Sequence, residues 1–118
     1  MAPIIRIAHH NNDAEPVPLD PARLVWGTPQ QKIANHYSDA SNAFHCGVWE
    51  AGVGAWQVAY TEHEFCHLLS GRVRLLGDDG SETTLSAGDS FVVPAGFEGV
   101  WEVLEPARKL YAVYEPPS

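Results

Sequence analysis

GRVRLLGDDGSETTLSAGDSFVVPAG, residues 71–96, is a run of short strand patterns separated by turn residues. The Asp79-Gly80 pair supplies the positive φ that tight hairpins require, and SAGD and PAG mark two further turns. Strand patterns rich in aromatic and β-branched residues continue on both sides, in AFHCGVWEA, VWEVLE and KLYAVYEP. No segment after residue 40 repeats its apolar residues with the 3.6-residue period of a helix. The sequence therefore predicts an all-β sandwich or barrel.

Composition narrows the class of protein. The chain has 118 residues, of which 45% are hydrophobic and 19% charged, and this fits one globular domain with its own core. A formal net charge of −8 with 7 basic residues argues against nucleic acid and anionic membrane surfaces as partners. No stretch approaches the roughly 18 apolar residues of a membrane span, and the N-terminus lacks an apolar signal region. Two cysteines without CxxC spacing predict free thiols, so we expect a cytoplasmic protein.

The uneven distribution of prolines separates an N-terminal segment from the rest of the chain. Five of the nine prolines fall within residues 1–30, where they disfavour a central strand or a helix interior. We therefore predict that residues 1–42 form a Pro-rich N-terminal arm of extended pieces with a short helical turn. This arm is expected to pack on the barrel or on a partner subunit, and residues 43–118 are expected to form the barrel itself.

Two spacings in the predicted barrel match a known pair of motifs. The first contains Gly52, Glu64 and Gly71, and the second contains Gly88, Pro94 and Gly96. The pattern resembles the cupins, and it is similar to the small single-domain cupins related to the (S)-ureidoglycine aminohydrolase cupin domain. The resemblance covers about residues 43–115. It implies a cupin double-stranded β-helix, a barrel of the jelly-roll type, with Glu64 pointing into its interior.

The metal ligands of the cupin motifs are mostly replaced in this chain. The three histidine positions carry Val58, Tyr60 and Gly99, so Glu64 alone represents the usual ligand set. A divalent transition metal needs about three or four nitrogen or oxygen ligands, so we expect no metal cofactor. If a metal is present, Glu64 is its expected ligand. Three other donors would reach it only in a different strand register: His45, Gln57 and Glu62.

Four residues are the candidates for a ligand site. Strand alternation places Tyr60 and Glu64 on one face, and a buried carboxylate needs a partner such as the Tyr60 phenol. Trp101 is expected to lean into the volume that Gly99 leaves free and to wall a pocket. Lys109, at the start of the last strand, would supply the positive charge of the missing metal if it faces inward. In the alternative reading, Glu64 is a buried structural residue that accepts a hydrogen bond from Tyr60 or from a strand amide. Tyr60 and Trp101 are then core residues, and Lys109 is a surface residue.

Two functions stay open at this point. In the first, the barrel binds a small metabolite bearing an amine, amidine or ureide group, which a single buried carboxylate under a tryptophan wall would suit. In the second, which the resemblance implies, the chain is an aminohydrolase-like or isomerase-like enzyme on such a substrate, with Glu64 as its catalytic base or metal ligand. The resemblance also implies a homodimer, because such cupins commonly dimerise through sheet faces and swapped arms.

Overall fold

The computed structural model describes residues 2–117, which form nine β-strands and one turn of 3₁₀ helix at Pro21–Arg23. The strands are β1 (Glu15–Val17), β2 (Leu24–Gly27), β3 (Gln31–Ser38), β4 (Phe44–Ala51), β5 (Gly54–Ala59), β6 (His63–Gly77), β7 (Glu82–Ser86), β8 (Ser90–Val93) and β9 (Glu98–Tyr114). The predicted all-β class is confirmed. Met1 and Ser118, the outer limits of the predicted arm and barrel, lie outside the described residues.

Two long strands curl the sheet into a barrel. The first half of β9 pairs with β5 and its second half with β4, while β6 runs antiparallel to both halves. β6 also pairs with β7 and β8, and β3 and β1 extend the sheet beyond β4. Because the two long strands each pair with several others, the inner side chains of β4 to β9 meet in a single core, and Ile33 of β3 packs against it.

Gly71 marks the place where β6 bends across β9. The register of the two strands shifts on both sides of this residue, and its φ of +87° is the left-handed conformation that glycine tolerates. A Cβ here would overlap the carbonyl oxygen of Pro106 and lie 2.7 Å from Cα of Ala107. The close approach of two backbones therefore explains why a glycine stands at this point of the motif.

The Pro-rich segment lies against its own barrel. β2 pairs with β5, and the indole of Trp26 donates a 2.9 Å hydrogen bond to Oε2 of buried Glu102 on β9. The other oxygen of that carboxylate accepts a 2.7 Å bond from Nε of Arg74 on β6. Asp20 caps the 3₁₀ turn just before β2, and its Oδ1 accepts a hydrogen bond from the backbone N–H of Ala22. These contacts fix one section of the arm at the rim of the barrel.

One outward row of side chains has no charge. Paired positions on β8, β6, β9, β4 and β3 carry Val92, Phe65, Ala112, Cys46 and Tyr37. Val92 is 60% exposed, and Phe65 and Tyr37 are exposed as well. We call these five residues the outer apolar row.

Among the described residues, no helix is long and apolar enough to cross a membrane.

Candidate binding pocket

An open cavity of about 420 Å³ lies between the arm and the inner face of the barrel. Its walls include the tryptophans Trp49, Trp56 and Trp101, one each from β4, β5 and β9. The four residues predicted for a ligand site also line it: Tyr60, Glu64, Trp101 and Lys109. The structure thus brings the four together, while their binding role stays a prediction.

Glu64 and Lys109 form a buried ion pair in this cavity. Nζ of Lys109 lies 3.0 Å from Oε2 of Glu64, and the two side chains are only 5% and 9% exposed. Burial alone would lower the pKa of Lys109, but the adjacent carboxylate outweighs it and raises that pKa. Lys109 therefore faces inward as a charged ammonium. Its predicted role depended on this inward orientation.

Tyr60 binds the second oxygen of the Glu64 carboxylate. Its hydroxyl donates a 2.9 Å hydrogen bond to Oε1 of Glu64, so each carboxylate oxygen has one partner. Burial and the negative charge of Glu64 raise the pKa of Tyr60, which keeps the phenol protonated as a donor. A carboxylate bound on both oxygens is held in place and is a poor candidate for a general base.

Two tryptophan rings hold the ammonium from its remaining sides. Nζ of Lys109 lies 4.3 Å from the ring centroid of Trp101 and 4.6 Å from that of Trp49, within cation–π range. The two rings meet edge to face at 83°, with their centroids 5.7 Å apart. Trp49 pairs with Lys109 in the β4–β9 register, and its indole donates to Oε1 of Gln31. Sequence reasoning missed Trp49, because only the strand register places it beside the lysine.

Trp101 does not fill a space left by Gly99. A Cβ at Gly99 would overlap the carbonyl oxygen of Leu76, so the backbone of β6 already occupies that volume. That part of the prediction is wrong, because it assumed side-chain packing where two strands approach closely. Trp101 is 1% exposed and packs between Trp49 and Phe91 while lining the cavity.

These residues do not fit a divalent metal. Both oxygens of Glu64 are engaged, and a dication beside it would meet the ammonium of Lys109. Within residues 2–117, no three His, Cys, Asp or Glu side chains are grouped as metal ligands would be. Of the three donors considered for another register, Gln57 and Glu62 line the cavity. His45 instead contacts Ser38 and the carbonyl oxygen of Asn42.

The mouth of the cavity carries charged side chains besides the four residues predicted for the ligand site. Asp20 and Arg23 come from the arm, and Glu62 comes from the turn before β6. Burial raises the pKa of Glu62, and the negative charges of Glu64 and Glu115 raise it further. Nothing local in the Pro-rich segment indicates that Asp20 and Arg23 lie at the mouth of a cavity in the barrel.

Cys66 lies beside the ion pair but is not a reactive thiol. Burial raises the pKa of Cys66 to about 12, although the nearby charge of Lys109 lowers it in part. The thiol therefore stays protonated near neutral pH and acts as a small buried packing residue.

Comparison with known proteins finds a family model and several solved structures that are similar to this chain. A family model described as a EutQ-like cupin domain matches residues 38–111. A Pseudomonas syringae pv. tomato protein of the DUF861 family, of unknown function, is 30% identical with a TM-score of 0.77. That match covers 85% of this chain but 43% of the Pseudomonas chain, so this chain spans less than half of its length. No curated protein matches the chain.

Two more distant structures share the fold alone. The Clostridium difficile EutQ protein is 16% identical with a TM-score of 0.66, over 84% of this chain and 74% of that one. An acetylacetone dioxygenase from Acinetobacter johnsonii is 13% identical with a TM-score of 0.68, over 97% and 74% of the two chains.

Proposed function

Because the chain belongs to the EutQ-like cupin domain family, we propose that its barrel binds a small nitrogen-containing metabolite without a metal. The predicted cupin fold is confirmed by this membership, while the narrower relation to ureidoglycine aminohydrolases stays a prediction. The observation that carries the proposal is the open cavity of about 420 Å³, walled by aromatic rings and a few fixed polar groups. Such a volume and lining are typical of sites for one small organic molecule.

In this proposal Lys109 takes the place of a metal cation inside the barrel. Its ammonium binds the one carboxylate that the cupin motif retains, and two indole faces stabilise it from the other sides. The ion pair neutralises itself, so it shapes the floor of the pocket without needing a charge from the ligand. Acidic Glu62, which lines the same cavity nearer its mouth, is then available to bind a nitrogen donor of the ligand.

Metal analysis and ligand titration together test this function. We expect substoichiometric metal in untagged wild-type protein after dialysis against zinc, manganese or nickel. In an NMR titration with n-butylamine, we expect amide shifts confined to residues around the cavity. Glu62→Gln should weaken these shifts, whereas the exposed Glu105→Gln control should not. Stoichiometric metal that is lost in Glu64→Gln, or amine shifts that avoid the cavity, would refute the proposal.

One observation favours an enzyme as the second candidate. Glu62 lies in the cavity with a raised pKa, which suits a general acid or base better than the doubly bound Glu64 does. In that case Glu62 rather than Glu64 would be the catalytic residue. Ammonia release from small ureides by wild-type protein, abolished in Glu62→Gln with ligand binding retained, would establish it.

We also propose a homodimer formed through the outer apolar row. Interface cores are depleted of charge and enriched in aromatic residues, as this row is in a chain of net charge −8. Light scattering after gel filtration should give twice the chain mass for wild-type protein. Phe65→Lys should give a monomer with the same far-UV circular dichroism, and a monomeric wild type would exclude the dimer.

A further inference from the structure

We infer that the pocket selects a zwitterion, whose anionic group binds Arg23 of the arm and whose cationic nitrogen binds Glu62. This inference rests on the proposed function, because it specifies the kind of small nitrogen compound that the barrel takes. It concerns two residues at the cavity mouth, and not the buried pair at its floor.

The floor of the cavity cannot recognise a charged ligand group. Lys109 and Glu64 neutralise each other at 3.0 Å, and Tyr60 donates to the remaining carboxylate oxygen. The ammonium is further enclosed by two indole rings. A ligand that displaced any of these contacts would leave a buried charge without its partner, which is unfavourable. Charge recognition therefore falls to the groups nearer the mouth.

Arg23 is a cation without a fixed partner at this mouth. No carboxylate of residues 2–117 lies within ion-pair distance of its guanidinium. The backbone that carries its exposed side chain is nevertheless fixed, since the 3₁₀ turn is capped by Asp20 and the next residue, Leu24, pairs with Trp56. A guanidinium is suited to bidentate binding of a carboxylate. The arm thus presents an anion-binding group to a cavity whose inner wall belongs to the barrel.

Glu62 is the matching anion. Along the described part of the chain, its carboxylate makes neither an ion pair nor a side-chain hydrogen bond. It is half-buried in the same cavity, and its pKa is raised by burial and by neighbouring carboxylates, so a cation would relieve unfavourable charge there. Arg23 and Glu62 do not pair with each other. Both are therefore free to bind opposite ends of one molecule, with its apolar middle against Trp56.

A matched set of probes separates the two ends of the ligand. We would measure Kd by NMR titration for γ-aminobutyrate, which has both charges, for n-butylamine and for butyrate. Wild-type protein should bind γ-aminobutyrate at least about tenfold more tightly than either singly charged probe, as expected for one added charge-assisted hydrogen bond. Arg23→Gln should reduce the affinity for γ-aminobutyrate to that for n-butylamine and leave n-butylamine unchanged. Arg6→Gln, an exposed arm residue outside the cavity lining, is the control and should change neither.

The outcomes distinguish this inference from the function on which it rests. If n-butylamine and γ-aminobutyrate bind in the cavity with equal affinity, and Arg23→Gln changes neither, the zwitterion inference is wrong while the binding function stands. If neither amine shifts the cavity residues, both are wrong. Equal losses in Arg23→Gln and Arg6→Gln would show a non-specific effect of arm charge and would also overturn the inference.

Discussion

Removing the charge of Lys109 should destabilise the fold strongly, and Lys109→Met is the variant that shows it. The separation of 3.0 Å from Glu64 corresponds to an attraction of about 5.5 kcal/mol at an effective dielectric constant of about 20. Desolvation offsets part of this attraction in the wild type. In the variant, however, Glu64 stays buried without its countercharge, which typically costs about 3–5 kcal/mol. We expect the free energy of unfolding at pH 7 to fall by that amount.

Urea unfolding followed by far-UV circular dichroism measures the effect. Lys32→Met is the matched control, because Lys32 is the other lysine of the chain and is exposed. This control should change the unfolding free energy by less than about 0.5 kcal/mol. The double variant Lys109→Met with Glu64→Gln removes both charges and should regain at least half of the lost stability. A loss below about 1 kcal/mol in Lys109→Met, or no recovery in the double variant, would refute the ion-pair account.

Three further predictions concern the backbone, the thiols and alkaline pH. Gly71→Ala should lose clearly more unfolding free energy than Gly80→Ala, because both have a positive φ but only Gly71 has backbone within contact. Equal losses in urea unfolding would contradict this. Cys66, with its pKa of about 12, should not react with a thiol reagent at pH 8 until the protein unfolds, so Cys46→Ser should abolish all labelling of native protein. Tyr60 has a raised pKa, so its contribution to stability is complete below about pH 10 and is lost as the pH rises further. Tyr60→Phe should therefore flatten the alkaline loss of stability, and an unchanged slope would show that another group controls it.

Local sequence signals were sufficient to predict the strands and part of the pocket. The Asp-Gly turn and the two later glycine turns punctuate the strands where the structure has them, because turn chemistry is a property of a few adjacent residues. Glu64 and Tyr60 were also accessible to sequence reasoning, since they belong to one short segment of a motif. Their hydrogen bond is a contact between residues four apart, but the structure forms it across the turn between β5 and β6 and not by the strand alternation that the sequence predicted.

The rest of the pocket depends on contacts between distant segments. Trp49 stands over Lys109 only because β4 and β9 pair in one register, and a shift by one residue would turn it to the other face. Arg23 reaches the cavity only after β2 has paired with β5. The interpretation of Gly99 was wrong for the same reason, because its neighbour is the backbone of a strand more than twenty residues earlier.

The tryptophan walls make the pocket observable without a label. Three of the four tryptophans of the chain line the cavity, and two of them flank a single ammonium. The energy of an indole excited state depends on nearby charge, and that dependence is strong where water is excluded. We therefore expect the emission spectrum of this protein to change when a charged ligand enters the pocket, as well as when the protein unfolds. Fluorescence titration of unmodified protein is thus a direct test of the proposed binding that works with a colourless ligand.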